Sequence, residues 1–139
     1  AQELGVSPAT CLRRVQRLYA LGIIEKTVAL LNPERLALQL GHGLTALVEV
    51  TLDKQGEEHL HQFERRIVAD EAITQCYRVS PGPDFVIVVV AHDMPAFLAL
   101  SQRLFTQDAN VRNVKTYFSI KQSKFEPRVP QQLGQPAHR

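Results

Sequence analysis

The chain has 139 residues with 16 basic and 14 acidic side chains, and 45% of its residues are hydrophobic. This composition is typical of one or two small packed domains and excludes a disordered chain. The longest apolar run, residues 85–91, is far shorter than a membrane helix requires, so we predict a cytoplasmic protein with no membrane partner. The two cysteines are distant in sequence and are expected to be free thiols.

The charges are distributed unevenly along the chain. Residues 1–31 carry four basic and two acidic side chains, whereas residues 44–110 carry ten acidic and five basic ones. Attraction to phosphate groups needs local positive charge and not a basic protein as a whole. The N-terminal part is therefore the part expected to face nucleic acid.

The N-terminal residues indicate a helix end, a tight turn and a second helix. Residues 1–4 fit the end of a helix, and Gly5 suits the left-handed position that often follows one. Ser7 can cap the next helix through its hydroxyl group, and Pro8 suits a first helical turn, where its missing N–H is not needed. We therefore predict a helix over residues 8–21 that stops at the glycine after it.

The residues after this helix predict a small β-structure and then a connector. Residues 23–31 are rich in β-branched and aliphatic side chains, with Glu25 and Lys26 placed for a turn, and they predict a short hairpin. A helix, a turn, a second helix and a β-wing make a winged helix-turn-helix. Residues 1–31 are thus predicted to be such a domain, incomplete at its N-terminus, and residues 32–43 to be a linker.

The remainder of the chain follows the order strand, helix, strand, strand, helix, strand. The predicted strands are residues 44–52, 73–80, 85–91 and 111–122; the predicted helices are residues 57–69 and a segment capped by Asp93. This order is that of a ferredoxin-like βαββαβ domain, so the fold class is α+β. We assign the domain to residues 44–125 and expect the Pro- and Gln-rich tail, residues 126–139, to be disordered. Two helices cover one face of such a sheet, and a dimer is expected to cover the other.

The predicted helix has two chemically distinct faces. Its apolar stripe, Leu12, Val15 and Leu18 with Cys11 and Tyr19 beside it, is predicted to pack inward. Its opposite stripe carries a threonine and three arginines at helical spacing. The guanidinium group is a rigid donor fork that fits phosphate oxygens and the major-groove edge of guanine.

In a winged helix-turn-helix the second helix enters the major groove with its N-terminus first. The residues nearest the bases are then Ser7, Thr10 and Arg13, while Arg14, Arg17 and Lys26 hold the backbone. The predicted contacts with double-stranded DNA are made by Ser7, Pro8, Thr10, Arg13, Arg14, Arg17 and Lys26.

Several segments of the chain resemble one family. Residues 6–18 (VSPATCLRRVQRL) resemble the recognition helix of the leucine-responsive and asparagine-linked regulators, the Lrp/AsnC family. Residues 22–24 and 28–33 resemble the wing and linker of that family, and residues 76–80 and 84–85 resemble a strand, turn and strand of its regulatory domain.

The resemblance extends over residues 1–125 and implies a function. Members of the family are bacterial or archaeal transcription regulators, often of amino-acid metabolism, which implies a cytoplasmic, nucleoid-associated protein. Their ferredoxin-like domains pair through the sheets into dimers, which commonly assemble into octamers. The family has a further helix before the helix-turn-helix pair, and this chain is expected to lack it.

The resemblance also implies an effector site. In the family an amino acid often binds near the turn between the second and third strands, which here implies Ser80, Gly82 and Asp84 as effector-binding residues. The family's usual turn reads Ser-Gly-Asp-aromatic-Asp, and Pro81, Gly82 and Pro83 depart from it. The two prolines remove backbone donors that would hold a carboxylate. Either the effector differs from a standard amino acid, or the site does not work in this way, in which case Gly82 and Asp84 simply shape a tight turn.

Two other functions compete with an effector-sensing regulator. One is a DNA-architectural protein without an effector. The other is a small ferredoxin-like enzyme, but the apolar strand over residues 85–91 offers no chemistry for catalysis. His59 and His61 point apart on a helix and make a poor metal pair, so neither a metal nor a cofactor is predicted.

Overall fold

A computed structural model describes residues 7–130 of the chain. The chain divides into two compact units, with the boundary between Leu36 and Ala37. The expected helix end at residues 1–4 and the turn at Gly5 lie outside the described residues, as do residues 131–139 of the tail.

The first helix, α1, spans Pro8–Ala20 and confirms the predicted helix to within one residue. Ser7 has extended backbone angles, and its Oγ accepts the backbone N–H of Thr10 at 3.1 Å. Pro8 occupies the first helical position. At the other end Gly22 has φ +77°, a left-handed conformation that costs glycine little and terminates the helix.

The apolar stripe of α1 does not pack inward as predicted. Among the described residues of the N-terminal unit no side chain of α1 is buried, and Leu12 is 58% exposed. Val15 and Tyr19 are also exposed, whereas Cys11 and Leu18 are half-buried. Burial of one helix stripe requires a second element packed against it. Within residues 7–36 no other element supplies that surface.

The hairpin predicted over residues 23–31 is wrong, because the described residues 24–32 have no regular secondary structure. The hydroxyl groups of Tyr19 and Thr27 are hydrogen-bonded, which ties this segment to the end of α1. The β-branched and aliphatic side chains on which the prediction rested, including Ile23 and Val28, are exposed. An isolated two-stranded ribbon is marginal in water, and β-propensity without a packing surface does not form one.

The predicted linker, residues 32–43, contains a helix that the sequence reading did not specify. This helix, α2, spans Pro33–Leu40. The Oδ1 atom of Asn32 accepts the backbone N–H groups of Glu34 and Arg35 at 3.1 and 3.0 Å, which satisfies two orphan donors of the first turn. Gly41 follows with φ +81°, and its N–H donates to the carbonyl of Ala37.

The C-terminal unit has the predicted ferredoxin-like order. Its elements are β1 (Leu44–Leu52), α3 (Glu57–Val68), β2 (Ile73–Arg78), β3 (Phe85–Ala91), α4 (Met94–Ser101) and β4 (Val111–Phe118). The four strands form one antiparallel sheet in the order β2-β3-β1-β4. The predicted strands 73–80 and 111–122 end early, at Arg78 and Phe118. β4 ends at Phe118 because it pairs with β1, which begins only two residues beyond the pair of Ala46 and Phe118. Ser119 still donates its N–H to the carbonyl of Thr45.

The core lies between one face of the sheet and the two helices. Alternate residues of β1 and β3 are fully or almost fully buried, and Phe63 of α3 packs against Phe85 with ring centroids 5.0 Å apart. Phe63 and Ile67 are buried as the helical pattern predicts. Val68, the last residue of α3, is 57% exposed because its position on the helix turns it away from the sheet.

The helix α4 begins as predicted and ends in a wider turn. The Oδ1 atom of Asp93 accepts the N–H of Ala96 at 2.9 Å and caps the helix. A π-helical turn over Gln102–Thr106 continues α4. Leu104 and Phe105, two consecutive residues of this turn, are both buried in the core.

The second face of the sheet is free of helices in the described part of the chain. Its apolar side chains are half-buried or exposed: Leu47, Tyr77, Val86, Val88, Val90 and Tyr117. We call this surface the open sheet face. Its existence confirms the expectation of one uncovered face. No helix in residues 7–130 is long and apolar enough to cross a bilayer.

Candidate nucleic-acid interface and effector site

A chain of hydrogen bonds connects three of the predicted DNA-contacting residues at the start of α1. The hydroxyl of Ser7 lies 2.9 Å from that of Thr10, and Nη2 of Arg13 donates to Oγ1 of Thr10 at 3.2 Å. The same Ser7 oxygen accepts the Thr10 backbone N–H. The helix cap thus holds the threonine, and the threonine in turn orients the guanidinium group.

The arginine stripe of α1 is exposed and carries unpaired positive charge. Arg13, Arg14 and Arg17 are all exposed, and within residues 7–130 none of them forms an ion pair. The first turn of α1 contains no acidic residue, and the helix dipole adds partial positive charge there. An exposed helix N-terminus of this kind attracts an anionic backbone and presents donors to base edges.

Lys26 does not lie in a β-wing, because residues 24–32 have no regular secondary structure. Its side chain is exposed in the segment without regular structure, and the hairpin that was to hold it is not formed. Pro8 is exposed at the first helical position, next to the cap. Six of the seven predicted DNA-contacting residues therefore lie on α1 or at its cap.

The three predicted effector residues lie in the turn between β2 and β3 but differ in exposure. Ser80 and Gly82 are exposed, and Gly82 has φ +110°, which residues with a Cβ rarely adopt. The peptide bond between Ser80 and Pro81 is cis. Asp84 is half-buried at the end of the turn, next to the first residue of β3.

The carboxylate of Asp84 is already engaged inside the domain. Its Oδ2 atom accepts the backbone N–H of Leu52 at 2.7 Å and the side-chain amide of Gln55 at 3.1 Å. These contacts attach the turn to the end of β1, 32 residues earlier in the chain. This role of Asp84 has no local signal in the sequence, because its partners are distant along the chain.

Few backbone donors of the turn are free for a ligand. The N–H of Asp84 donates to the carbonyl of Val50 at 2.9 Å, and its carbonyl accepts the N–H of Val79 at 3.1 Å. Pro81 and Pro83 have no N–H group. A cradle of successive N–H groups for a carboxylate is therefore not available in this turn, and Gly82 is its one central residue with an N–H.

Arg78, which no sequence pattern singled out, connects β2 to α3 next to this turn. Arg78 donates from Nε to Glu64 at 2.9 Å and from Nη1 to Glu57 at 3.0 Å. Hydrogen bonds to Glu64 and then to Glu57 raise the pKa of Arg78 above its ordinary value. These pairs connect the last residue of β2 to Glu57 and Glu64, which lie seven residues apart on α3.

The described residues contain no group of histidine, cysteine, aspartate and glutamate side chains that could hold a metal ion. His59 is half-buried and His61 is exposed on α3. The two cysteines, Cys11 and Cys76, are free. Burial, and then the charge of Glu64, raise the pKa of Cys76, which disfavours the reactive thiolate.

Comparison with known families and relatives agrees with this architecture. A family model of the Lrp/AsnC ligand binding domain matches residues 45–129, and one of winged helix-turn-helix DNA-binding domains matches residues 1–25. The leucine-responsive regulatory protein of Rhizobium meliloti is 33% identical over 124 residues, which are 89% of this chain and 77% of that protein. The Bkd operon transcriptional regulator of Pseudomonas aeruginosa is 32% identical, over 87% of this chain and 76% of that protein.

Solved structures give the same result. An AsnC family transcriptional regulator from Agrobacterium tumefaciens superposes with a TM-score of 0.80 at 26% identity, over 96% of this chain and 84% of that one. A feast or famine regulatory protein from M. tuberculosis, complexed with L-methionine, superposes with a TM-score of 0.67 at 25% identity, over 93% and 82% of the two chains. The matched ligand binding domain alone exceeds half of the chain. The chain belongs to the Lrp/AsnC family of helix-turn-helix transcriptional regulators.

Proposed function

We propose that this regulator binds double-stranded DNA sequence-specifically, in the cytoplasm and at the nucleoid, and controls genes of amino-acid-related metabolism. The observation that carries the proposal is the hydrogen-bonded chain from Ser7 through Thr10 to Arg13 on an exposed helix N-terminus. Donors oriented before binding lose less conformational freedom when they meet a base edge. The enzyme alternative is set aside because the family consists of transcriptional regulators.

In this proposal the two parts of the arginine stripe have different tasks. Arg13, oriented by Thr10, reads a base edge in the major groove, where a bidentate arginine prefers guanine. Arg14 and Arg17 stand further along α1 and neutralise phosphates, and Lys26 adds a further phosphate contact. The first group gives specificity, and the second gives affinity that depends on salt.

We also propose that the ferredoxin-like domain binds a small effector, an amino acid, at the turn between β2 and β3. Support comes from the match to a ligand binding domain and from the M. tuberculosis relative complexed with L-methionine. The contacts proposed here are the hydroxyl of Ser80, the N–H of Gly82 and Oδ1 of Asp84, the carboxylate oxygen not used within the domain.

The open sheet face supports a homodimer. Its valine row on β3, Val86, Val88 and Val90, and the tyrosines Tyr77 and Tyr117 offer apolar area that a second copy can bury. A symmetric pair uses the same patch on both chains and so needs no second binding surface.

Two measurements on the intact protein test this function. Fluorescence anisotropy with the DNA upstream of its own gene, against random DNA of equal length, should give a specific complex that random DNA does not displace. A thermal-shift panel of the proteinogenic amino acids should give one or a few raised midpoints, because a ligand at a hundredfold excess over its Kd adds about 2.7 kcal/mol of stability. Equal affinity for both DNAs contradicts the proposal.

One observation favours the alternative of a DNA-architectural protein that binds without an effector. The carboxylate of Asp84 is engaged by Leu52 and Gln55, and the two prolines remove donors from the turn. A flat amino-acid panel, together with DNA binding that no amino acid changes, would favour this second function.

A further inference from the structure

Residues 53–56 form a short loop that leads from β1 to α3 and has no regular secondary structure. We call it the β1–α3 loop. Gln55, in this loop, donates from Nε2 to two acceptors, the carbonyl of Leu52 at 3.2 Å and Oδ2 of Asp84 at 3.1 Å. The β1–α3 loop therefore carries a side chain that contacts the carboxylate of the proposed effector turn.

The position of Gln55 depends on the backbone of this loop. Its side chain is exposed, and a long, exposed side chain loses much rotamer freedom when it is fixed. The two hydrogen bonds offset that loss more fully where the backbone that carries the side chain is already fixed. The contacts of the loop backbone therefore decide how firmly Gln55 holds Asp84.

Asn110, which is 56 residues later in the chain than Lys54, fixes that backbone. Its Oδ1 atom accepts the N–H of Lys54 at 2.8 Å, and its Nδ2 atom donates to the carbonyl of Lys54 at 3.1 Å. Its own carbonyl accepts the N–H of Asp53 at 2.9 Å. An asparagine amide carries both a donor and an acceptor, as a peptide group does, so Asn110 pairs with the loop as a neighbouring strand would.

The support behind Asn110 extends to helix α3. The N–H of Asn110 donates to Oδ1 of Asp108 at 2.8 Å, and the other oxygen of that carboxylate accepts Nη2 of Arg66. Arg66 also donates from Nη1 to the carbonyl of Leu104 at 2.8 Å. Asp108 and Asn110 are both half-buried. The loop is thus held by a residue that is itself attached to the helical layer.

The sheet order brings this support and the effector turn to one end of β1. β3 and β4 lie on opposite sides of β1, and both are antiparallel to it. Asp84 directly precedes β3, and Asn110 directly precedes β4. The two residues therefore reach the end of β1 from opposite sides, with the β1–α3 loop between them.

We propose that Asn110 and Gln55 are positioning residues for the effector site, an inference that rests on the effector function proposed for the turn between β2 and β3. Asn110 fixes the loop, and Gln55 with the N–H of Leu52 occupies Oδ2 of Asp84. The other oxygen, Oδ1, is thereby held in place for the cationic group of a ligand. An acceptor placed before binding loses less freedom when the ligand arrives, so the ligand binds more tightly.

Hydrogen exchange of the full-length protein without ligand, measured by mass spectrometry, tests the positioning itself. The N–H of Val79 donates to the carbonyl of Asp84, so peptides that cover residues 79–85 report on the turn. Asn110→Ala and Gln55→Ala should each speed exchange there by about threefold or more, the factor expected for one lost hydrogen bond of ordinary net strength. Asn110→Ala made in the Gln55→Ala protein should add nothing further, because the effect of Asn110 passes through Gln55.

Asn113→Ala is the matched control, because it removes an exposed asparagine of β4 outside this network. It should leave exchange in residues 79–85 unchanged. If Asn110 had a structural role only, its alanine variant would lower the free energy of unfolding and leave exchange of the turn as in the wild type, and this result would overturn the proposal. Additive effects of Asn110→Ala and Gln55→Ala on the turn would overturn it as well.

Isothermal titration with L-methionine, the ligand of the M. tuberculosis relative, tests the consequence for binding. Asn110→Ala should raise the dissociation constant about threefold or more, and it should have no further effect in the Gln55→Ala protein. An unchanged dissociation constant in Asn110→Ala contradicts the proposal. A wild type that does not bind L-methionine tells against the effector proposal for this amino acid and not against the positioning, which the exchange measurement then decides by itself.

Discussion

Asp84 accepts the backbone N–H of Leu52 through its Oδ2 atom at 2.7 Å, and so the turn after β2 is attached to the end of β1. The same oxygen accepts the amide of Gln55, at the start of the loop that leads to α3. The residue that the family resemblance singles out for an effector is thus also a structural link. A substitution of Asp84 therefore affects both the stability of the domain and the proposed effector binding, and the two effects have to be measured separately.

We expect Asp84→Ala to destabilise the domain by about 1–3 kcal/mol, because the N–H of the buried Leu52 loses its acceptor. Asp84→Asn keeps an amide oxygen that can accept the Leu52 N–H, so this variant should lose clearly less stability than Asp84→Ala. Urea unfolding followed by circular dichroism measures both. Both variants should lose an amino-acid thermal shift if Oδ1 of Asp84 holds an ammonium group. Wild-type stability of the alanine variant would refute the structural role.

We expect Arg17→Ala to weaken DNA binding by a similar factor for every sequence. In the proposed arrangement Arg17 neutralises one phosphate. The slope of the logarithm of the association constant against the logarithm of the salt concentration should therefore become less negative by about 0.9 for each α1 helix bound to DNA. Anisotropy titrations at several salt concentrations measure the slope. Gln16→Ala, a neutral change at the neighbouring position of α1, is the control. A loss confined to the specific DNA would assign Arg17 to base reading instead.

The decrease in the free energy of unfolding at acidic pH should depend in part on Asp70. The backbone N–H of Ala72 and, to a smaller extent, Arg103 lower the pKa of Asp70 below its ordinary value of 3.8, against the opposing effect of burial. A carboxyl group with a depressed folded pKa stabilises the fold fully above its unfolded pKa and loses this contribution as pH falls through the folded pKa.

Asp70→Asn should therefore lose stability relative to the wild type near neutral pH, and the difference should shrink as pH falls below about 4. Arg103→Gln removes the smaller cause and should show the same trend with a smaller amplitude. Urea midpoints between pH 2 and 7 measure both variants. A difference that does not change with pH would contradict the assignment.

We expect Val86→Asp to abolish self-association while the monomer remains folded. Val86 lies on the open sheet face opposite Glu49 in the pairing of β1 with β3, so the new carboxylate adds like charge to the proposed interface. Val68→Asp is the matched control, because that valine is exposed on α3, away from the sheet. Analytical ultracentrifugation measures the association state. An unchanged dimer in Val86→Asp would place the interface elsewhere.

Sequence patterns predicted the ferredoxin-like unit well because its elements bury one clear face. β1 and β3 have the predicted bounds, since the alternation of β1 and the apolar run of β3 each reflect packing against the helices. The caps Ser7 and Asp93 were also predictable, because a cap bonds within three residues of itself.

Features that depend on distant partners were not predictable. The β-branched residues 23–31 indicate a strand only if another surface is present to pack on, and the described residues give them none. The π-helical turn after α4 and the bond from Leu52 to Asp84 depend on where the chain returns after many residues. Likewise, the pairing of Arg78 with Glu57 and Glu64 crosses from a strand to a helix.

The most direct test of the central claim, sequence-specific DNA reading by α1, is the specificity ratio of Arg13→Ala. Competition anisotropy on the full-length protein gives this ratio as the affinity for operator DNA over that for random DNA. We expect operator affinity to fall by about 1–3 kcal/mol with little change on random DNA, because a base contact is lost and the phosphate contacts remain. An unchanged ratio, or an equal loss on both DNAs, would contradict it.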